Sequence, residues 1–202
     1  MENEDVMCDG EIELSDRAKS LWGKTNRVDD TEWLPLYVHM ADSAAMAVRI
    51  WDTWVPYGTK SIISRDLGND DDLARKLMIF LAGVHDIGKA TPVFQAKPIS
   101  FGPDAESLAW KPEQAGLPMI AGLRDTSHPT HPIAGQVILE RYFSLVHKWG
   151  KRESRQYACV VGGHHGTPPD KSKLESARLG KTESGLDSEV WMTTQNLSLI
   201  HI

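Results

Sequence analysis

The sequence predicts an all-α fold. Apolar residues recur at the spacing of a helix in residues 38–55, 73–84, 133–143 and 153–161. No segment has the sustained alternation of apolar and polar residues that is typical of a half-buried strand, and no internal repeat is visible. The chain has 202 residues, of which 41% are hydrophobic and 25% are charged. A chain of this size and composition buries one sizeable core, so we expect one main folded domain.

The N-terminal region divides into a lead-in and a short helix. Residues 1–14 are acidic and carry no apolar pattern, so we expect them to be flexible. Ser15 or Asp16 can cap a helix that ends near Gly23. A connection containing Trp33 follows.

The segment 38–55 is apolar on two opposite faces. Small and branched apolar residues fill one face, while Met46, Ile50 and Trp54 lie near the other, beside His39. A helix that is apolar on two sides is usually buried between neighbours. We therefore expect both faces, including Trp54, to pack in the core and His39 to lie inside the protein.

The helix over 73–84 begins after the acidic run NDDD, which supplies an N-cap and negative charge at the helix N-terminus. Its last turn places His85 and Asp86 at the C-terminal end, where Gly88 is suited to stop the helix. Lys89 then stands just beyond this pair.

Residues 91–130 contain six prolines, which is too many for long helices. Connections of this length are usually lids or binding loops. The next helix starts at His131, where Pro132 suits the first helical turn. His128 lies one short loop earlier and competes with His131 for the same role; we prefer His131 because it begins the helix directly.

Another helix over 153–161 ends at two glycines, after which His164 and His165 follow at once. The segment 171–202 is polar and weakly patterned, and its last residues have no recognisable partner.

Composition excludes several classes of protein. The acidic start is unlike a secretory signal, and no apolar run approaches the roughly 20 residues that cross a bilayer, so we expect a cytoplasmic protein without membrane contact. Two cysteines give neither a disulfide framework nor a thiolate zinc site. The net charge of −6 argues against coating of nucleic acid through a general positive field, although a local basic channel stays possible.

The residues at the helix ends suit metal binding. Neutral imidazole binds first-row transition metals, and one carboxylate can bridge two ions. Six residues are candidate ligands: His39, His85, Asp86, His131, His164 and His165. Simpler interpretations exist, since His39 alone is explained as a core histidine satisfied by a backbone carbonyl or by Asp42, and an isolated His-Asp pair as a helix cap.

The order and context of these residues resemble a known family. The stretches LWGKT, WLPLYVHMADSA, GVHDIGKATPVFQ and GGHHG are similar to the HD nuclease domain of the CRISPR-associated helicase-nuclease of type I systems, within the HD phosphohydrolase superfamily. The resemblance covers roughly residues 18–170. It implies an HD-domain helical bundle over 15–170, with 171–202 as the truncated end of that domain.

The resemblance also implies a two-metal site holding iron, manganese, cobalt or nickel. One metal would be held by His39, His85 and Asp86, and a second by Asp86, His131, His164 and His165. Asp86 and Lys89 would be the catalytic residues, with Lys89 contacting the phosphate; its simpler interpretation is a solvated lysine at a helix end.

Two departures from the family pattern affect these assignments. Pro132 follows His131 where an acidic residue is frequent. The late aspartate of the first metal has no convincing equivalent, since Asp170 is too close to the paired histidines and Asp187 lies in unpatterned sequence. We expect that ligand, and a helicase portion, beyond Ile202.

The implied function is hydrolysis of single-stranded DNA in CRISPR interference, an antiviral defence. The implied partners are a helicase domain or subunit and the RNA-guided CRISPR surveillance complex. Alternatives are an HD phosphohydrolase of nucleotides or cyclic dinucleotides and a non-catalytic regulatory HD module. Trp110, in the long loop, is the preferred stacking residue for a base, and the basic residues 148–155 are more simply a solvated turn.

Overall fold

The computed structural model describes residues 14–26, 32–97, 106–119 and 129–200. The helices in this part of the chain are α1 (Asp16–Ser20), α2 (Leu36–Thr53), α3 (Tyr57–Asp66), α4 (Asp71–Gly83), α5 (Pro92–Gln95), α6 (Glu106–Gln114), α7 (His131–Leu145), α8 (Lys151–Gly162), α9 (Lys171–Leu179), α10 (Lys181–Ser184) and α11 (Glu189–Ile200). A 3₁₀ turn spans Ile87–Lys89. The prediction of an all-α fold is confirmed.

Helix α7 forms the centre of the molecule. It is buried from Pro132 through Leu139, because its sequence is apolar on nearly every side. It packs along α8 and against the 3₁₀ turn and α9. The core therefore surrounds the helix that begins with His131.

Helix α2 packs on α4, and the residues that it buries belong to neither of the two predicted apolar faces, except for His39. Leu36, Met40 and Trp51 lie in the interior, whereas Met46 is 59% exposed and Trp54 is 83% exposed. The prediction that both faces pack in the core is wrong for the second face, and on the first face Ala41 and Ala45 are exposed as well. Apolar periodicity shows that a helix face is suited to burial, but an apolar face that remains exposed has the same periodicity.

A two-stranded antiparallel sheet interrupts the N-terminal part of the helical fold. Its strands are β1 (Trp22–Thr25) and β2 (Trp33–Pro35). The first helix consequently ends at Ser20, earlier than its apolar pattern suggests. The main-chain N–H and C=O of Trp22 both bond the Gln95 side chain, and this long-range tie holds the backbone extended.

The acidic run before α4 acts as predicted. Asp70 is the N-cap, and its carboxylate accepts a hydrogen bond of 2.9 Å from the Leu73 N–H. The helix ends at Gly83, and the 3₁₀ turn follows Asp86.

Gly88 has a different role from the predicted helix stop. A Cβ built on Gly88 would lie 1.8 Å from the His131 carbonyl oxygen and 2.5 Å from the Gly135 nitrogen. The absence of a side chain lets the 3₁₀ turn press against the start of α7. This contact brings Asp86 and His131 together.

The segment 171–202, which has little apolar pattern, is helical over its described part. Trp191 and Leu199 of α11 enter the core, and the Trp191 indole N–H donates to the Pro118 carbonyl. Gln195 is fully buried and donates to the carbonyls of Ala90 and Ser184. Burial of satisfied polar side chains hides the periodicity that an apolar helix would show.

The proline-rich stretch 91–130 contains the short helices α5 and α6, and α6 accommodates Pro112. None of the described helices is long and apolar enough to span a membrane.

Candidate metal centre

Four separate places in the fold supply the predicted ligands. His39 lies in the first turns of α2, and His85 with Asp86 follows α4. His131 is the first residue of α7, and the pair His164–His165 follows α8. The fold brings all six predicted ligands together.

Asp86 lies at the middle of this cluster and is only 4% exposed. Its Oδ2 is 2.8 Å from His39 Nε2 and 3.2 Å from His85 Nε2. Its Oδ1 is 3.2 Å from His131 Nε2 and 3.5 Å from His164 Nε2. The two carboxylate oxygens therefore face two different sets of imidazoles.

These sets form two candidate metal sites. One group is His39, His85 and Asp86, and the other is His131, His164 and His165; within each group the ligand atoms lie within 4.8 Å of one another. The two groups are those that the family resemblance implied, and Asp86 lies between them.

The hydrogen bonds of the rings leave metal-binding lone pairs inside the cluster. His85 Nδ1 lies 2.8 Å from the Ala82 carbonyl, and His164 Nδ1 lies 2.6 Å from the Val161 carbonyl. A carbonyl only accepts, so Nδ1 of each ring carries the proton and Nε2 presents its lone pair. His164 Nε2 is buried and has no hydrogen-bond partner among the described residues. A buried, unpaired imidazole nitrogen beside a carboxylate fits a divalent metal ion.

The electrostatics keep Asp86 ionised. Burial opposes ionisation, but contacts from His131, His164, His85 and Lys89 outweigh it and hold the pKa of Asp86 far below its usual value. Asp86 is thus an ionised ligand for a cation, with the Lys89 ammonium 2.8 Å from its Oδ2.

The pKa values of the histidines shift in different directions. Burial lowers the pKa of His39, although Asp86 opposes this effect. Burial and the neighbouring His164 also lower the pKa of His165. For His164 itself, burial is outweighed by Asp86 and by the Val161 carbonyl, so its pKa is raised. A low imidazole pKa favours the neutral form that binds metals.

Lys89 is buried, so the alternative of a solvated lysine is wrong. Its ammonium donates to the Gly23 carbonyl at 2.7 Å and lies 2.8 Å from Asp86 Oδ2. Lys89 therefore belongs to the cluster and faces the carboxylate that joins the two ligand groups.

Gln95 supports this arrangement and was missed at the level of the sequence. Its Nε2 donates to the carbonyls of Trp22 and Lys89, at 3.0 and 2.9 Å, and its Oε1 accepts from the Trp22 N–H at 3.1 Å. The side chain joins β1 to the 3₁₀ turn and so fixes the Gly23 carbonyl beside Lys89. The signal was present, because Gln95 ends the stretch GVHDIGKATPVFQ.

Several other candidates do not enter the cluster. Asp42 is exposed, and His39 Nε2 bonds Asp86 instead. Asp170 caps α9, and Asp187 accepts a hydrogen bond from Thr182. Asp86 is the only carboxylate in either ligand group within the described part of the chain. His128 lies outside the described residues.

One of the tryptophans differs from expectation. Trp54 is exposed rather than packed in the core, and Trp110 is 49% exposed. Trp33 packs partly against the small apolar cluster of Trp22, Phe94 and Leu108.

A helical domain in which one buried aspartate joins two histidine groups is an HD domain. A family model described as Cas3, HD domain matches residues 22–201. The chain belongs to this family. The match includes α9, α10 and α11, beyond the region of the sequence resemblance.

Two curated relatives support the assignment. The CRISPR-associated nuclease/helicase Cas3 of Streptococcus thermophilus is 36% identical over 154 residues, which is 73% of this chain and 16% of that protein. The CRISPR-associated endonuclease/helicase Cas3 of Thermus thermophilus is 30% identical over 169 residues, 83% of this chain and 16% of that protein. The chain thus spans about one sixth of the length of these relatives.

Two solved structures share the fold. The crystal structure of a CRISPR-associated protein superposes with a TM-score of 0.77 at 31% identity, covering 91% of this chain and 19% of that one. The Thermus thermophilus Cas3 HD domain, crystallised in the presence of Ni²⁺, superposes with a TM-score of 0.59 at 24% identity, covering 92% of this chain and 64% of that one. The second likeness supports the helical fold.

Proposed function

We propose that this chain is a metal-dependent nuclease domain that hydrolyses phosphodiester bonds of single-stranded DNA. The observation that carries the proposal is the pair of ligand groups joined by Asp86. Both relatives are named as nuclease/helicase proteins, which supports the nuclease class over an HD phosphohydrolase of nucleotides.

We infer that the domain binds two divalent transition metal ions, one at each ligand group. Iron, manganese, cobalt and nickel all suit sites that are rich in imidazole and carboxylate, and availability decides among them. Two such ions, when bound, acidify a water molecule, polarise the phosphate and stabilise the leaving oxygen.

The side chains have distinct roles in this proposal. Asp86 supplies one oxygen to each group, and His39, His85, His131, His164 and His165 complete the two groups. Lys89 carries a positive charge at the same carboxylate and would neutralise a phosphate oxygen as negative charge develops. Because Gly23 and Gln95 hold the lysine in place, little reorganisation is needed when substrate binds.

The proposed context is CRISPR interference, an antiviral defence in the cytoplasm. A helicase domain or subunit would deliver the strand, and an RNA-guided CRISPR surveillance complex would expose it. The fusion of nuclease and helicase in the names of both relatives supports the helicase partner.

The direct test is cleavage of DNA by the purified chain loaded with manganese under anaerobic conditions. We expect degradation of single-stranded DNA and its loss in Asp86→Asn, while the surface variant Asp66→Asn stays active. Circular dichroism of both variants checks that the helices are retained. Hydrolysis of mononucleotides without cleavage of DNA would contradict the proposal and favour the nucleotide phosphohydrolase.

A further inference from the structure

A groove of about 440 Å³ opens beside the metal centre. Its lining includes Met46, Ala47 and Ile50 of α2, Ala82 of α4, and His85 and His164. One histidine of each ligand group thus belongs to the groove as well as to the centre. Whatever occupies the groove touches the metal-binding residues directly.

The α2 side of the groove is an apolar face that the described part of the chain leaves exposed. Met46 is 59% exposed and Ile50 is 46% exposed. Trp54, four residues further on, continues the same face, since residues at this spacing are neighbours along a helix. A contiguous exposed apolar surface beside a polar site marks a place where a ligand or partner binds.

The charges around the groove indicate which part of a ligand it accepts. Asp42 is the only acidic or basic side chain, apart from the two histidines, among the described residues that line it. A carboxylate repels phosphate, whereas Lys89 attracts it at the metal centre. The fitting ligand therefore combines an anionic group at the centre with an uncharged, flat apolar group in the groove. A nucleotide has this combination.

We propose that the groove is a subsite for an unpaired nucleobase of the strand whose phosphate lies at the metal centre. The inference rests on the proposed nuclease function and adds the basis of its preference for single strands. A base in a duplex is stacked on both faces and paired along its edge, so it cannot enter. Trp54, about 12 Å along the helix from Met46, offers a stacking surface for a base further along the strand.

The test compares two DNAs and two variants. Fluorescence anisotropy measures the dissociation constants of a short oligothymidine and of the same backbone with abasic residues, using metal-free protein that cannot cleave. The double variant Met46→Ser, Ile50→Ser removes the apolar wall. Leu179→Ser is the control, because Leu179 is also an exposed apolar residue, 83% exposed, and it lies at the end of α9, outside the groove lining.

The wild type and Leu179→Ser should bind the base-containing strand about tenfold more tightly than the abasic strand. The double variant should bind the two strands alike, by losing affinity for the base-containing strand alone. A double variant that keeps the tenfold preference would overturn the proposal, whether its affinity for both strands is equally reduced or unchanged. Unchanged affinity for both strands would point to an apolar protein segment as the occupant.

The measurements distinguish a wrong subsite proposal from a wrong nuclease proposal. A wild type that binds both strands equally, and cuts both when loaded with manganese, contradicts the subsite alone. A wild type that neither binds nor cuts either strand contradicts the nuclease function as well.

Discussion

At the scale of single residues, the cluster depends on groups that lie outside the predicted ligand set. Asp86 and the histidines are recognisable in the sequence because their types and their positions at helix ends suit metal binding. Gln95 is not recognisable in this way, since a glutamine has no characteristic chemistry until its partners are known. Its hydrogen bonds to Trp22 of β1 join residues 73 positions apart in the sequence, whereas its bond to the Lys89 carbonyl is local.

Replacing Gln95 should destabilise the fold. In Gln95→Leu, the N–H and C=O of Trp22 and the carbonyl of Lys89 lose their partners in a buried place. We expect the free energy of unfolding to fall by about 2–4 kcal/mol, because each buried unsatisfied group is costly.

Gln136→Leu is the matched control for this measurement by urea unfolding. Gln136 is also buried, but its Oε1 has no hydrogen-bond partner among the described residues, and its Nε2 donates one bond, to the Glu140 carboxylate. Its replacement should change the free energy of unfolding by less than about 1 kcal/mol. Equal losses of unfolding free energy in the two variants would show that the hydrogen bonds of Gln95 do not contribute more to stability than the single bond of Gln136.

At the scale of elements, apolar periodicity predicted where helices occur better than it predicted what the faces of each helix contact. Helices α4, α7 and α8 lie where apolar spacing and caps place them. The β1–β2 pair was missed because its strands are short and are held by a distant side chain. The open face of α2 was missed because an apolar stripe looks the same in a core and in a groove.

The N-terminus of α9 provides a prediction of pH dependence. Asp170 accepts a hydrogen bond from the Lys173 N–H, and this bond holds the pKa of Asp170 below its usual value. A depressed pKa means that the ionised cap contributes stability above the unfolded-state pKa, and that this contribution is lost as pH falls through the folded-state pKa.

Asp170→Asn keeps a capping oxygen but does not titrate. The stability of the wild type relative to this variant should therefore decrease as the pH is lowered below about 4. Urea midpoints of both proteins, measured between pH 6 and pH 3, test this expectation. A difference that stays constant over the range would contradict it.

At the scale of the whole molecule, the segment after residue 170 belongs to the folded body. Arg141 of α7 donates to Asn196 at 2.9 Å, and Trp191 packs in the main core. The sequence did not predict this docking, because buried polar residues of α11 dilute its apolar pattern. Its contacts with α7 and the 3₁₀ turn extend the body that holds the site.

Because α11 packs on the core, replacing Trp191 should destabilise the protein much more than replacing Trp54. Trp191 is 1% exposed, whereas Trp54 is 83% exposed. Trp191→Ala should lower the free energy of unfolding by about 3–5 kcal/mol, and Trp54→Ala by less than about 0.5 kcal/mol. A small effect of Trp191→Ala in urea unfolding would mean that α11 contributes little to the body.

Metal content is the most direct test of the proposal that Asp86 joins two metal sites. The chain, loaded anaerobically with iron or manganese and passed through a desalting column, should retain two ions per chain by elemental analysis. Asp86→Asn should retain fewer than the wild type, since both groups lose an ionised ligand. A wild type that retains less than one ion per chain, or an Asp86→Asn variant that retains two, would contradict a two-metal site joined by Asp86.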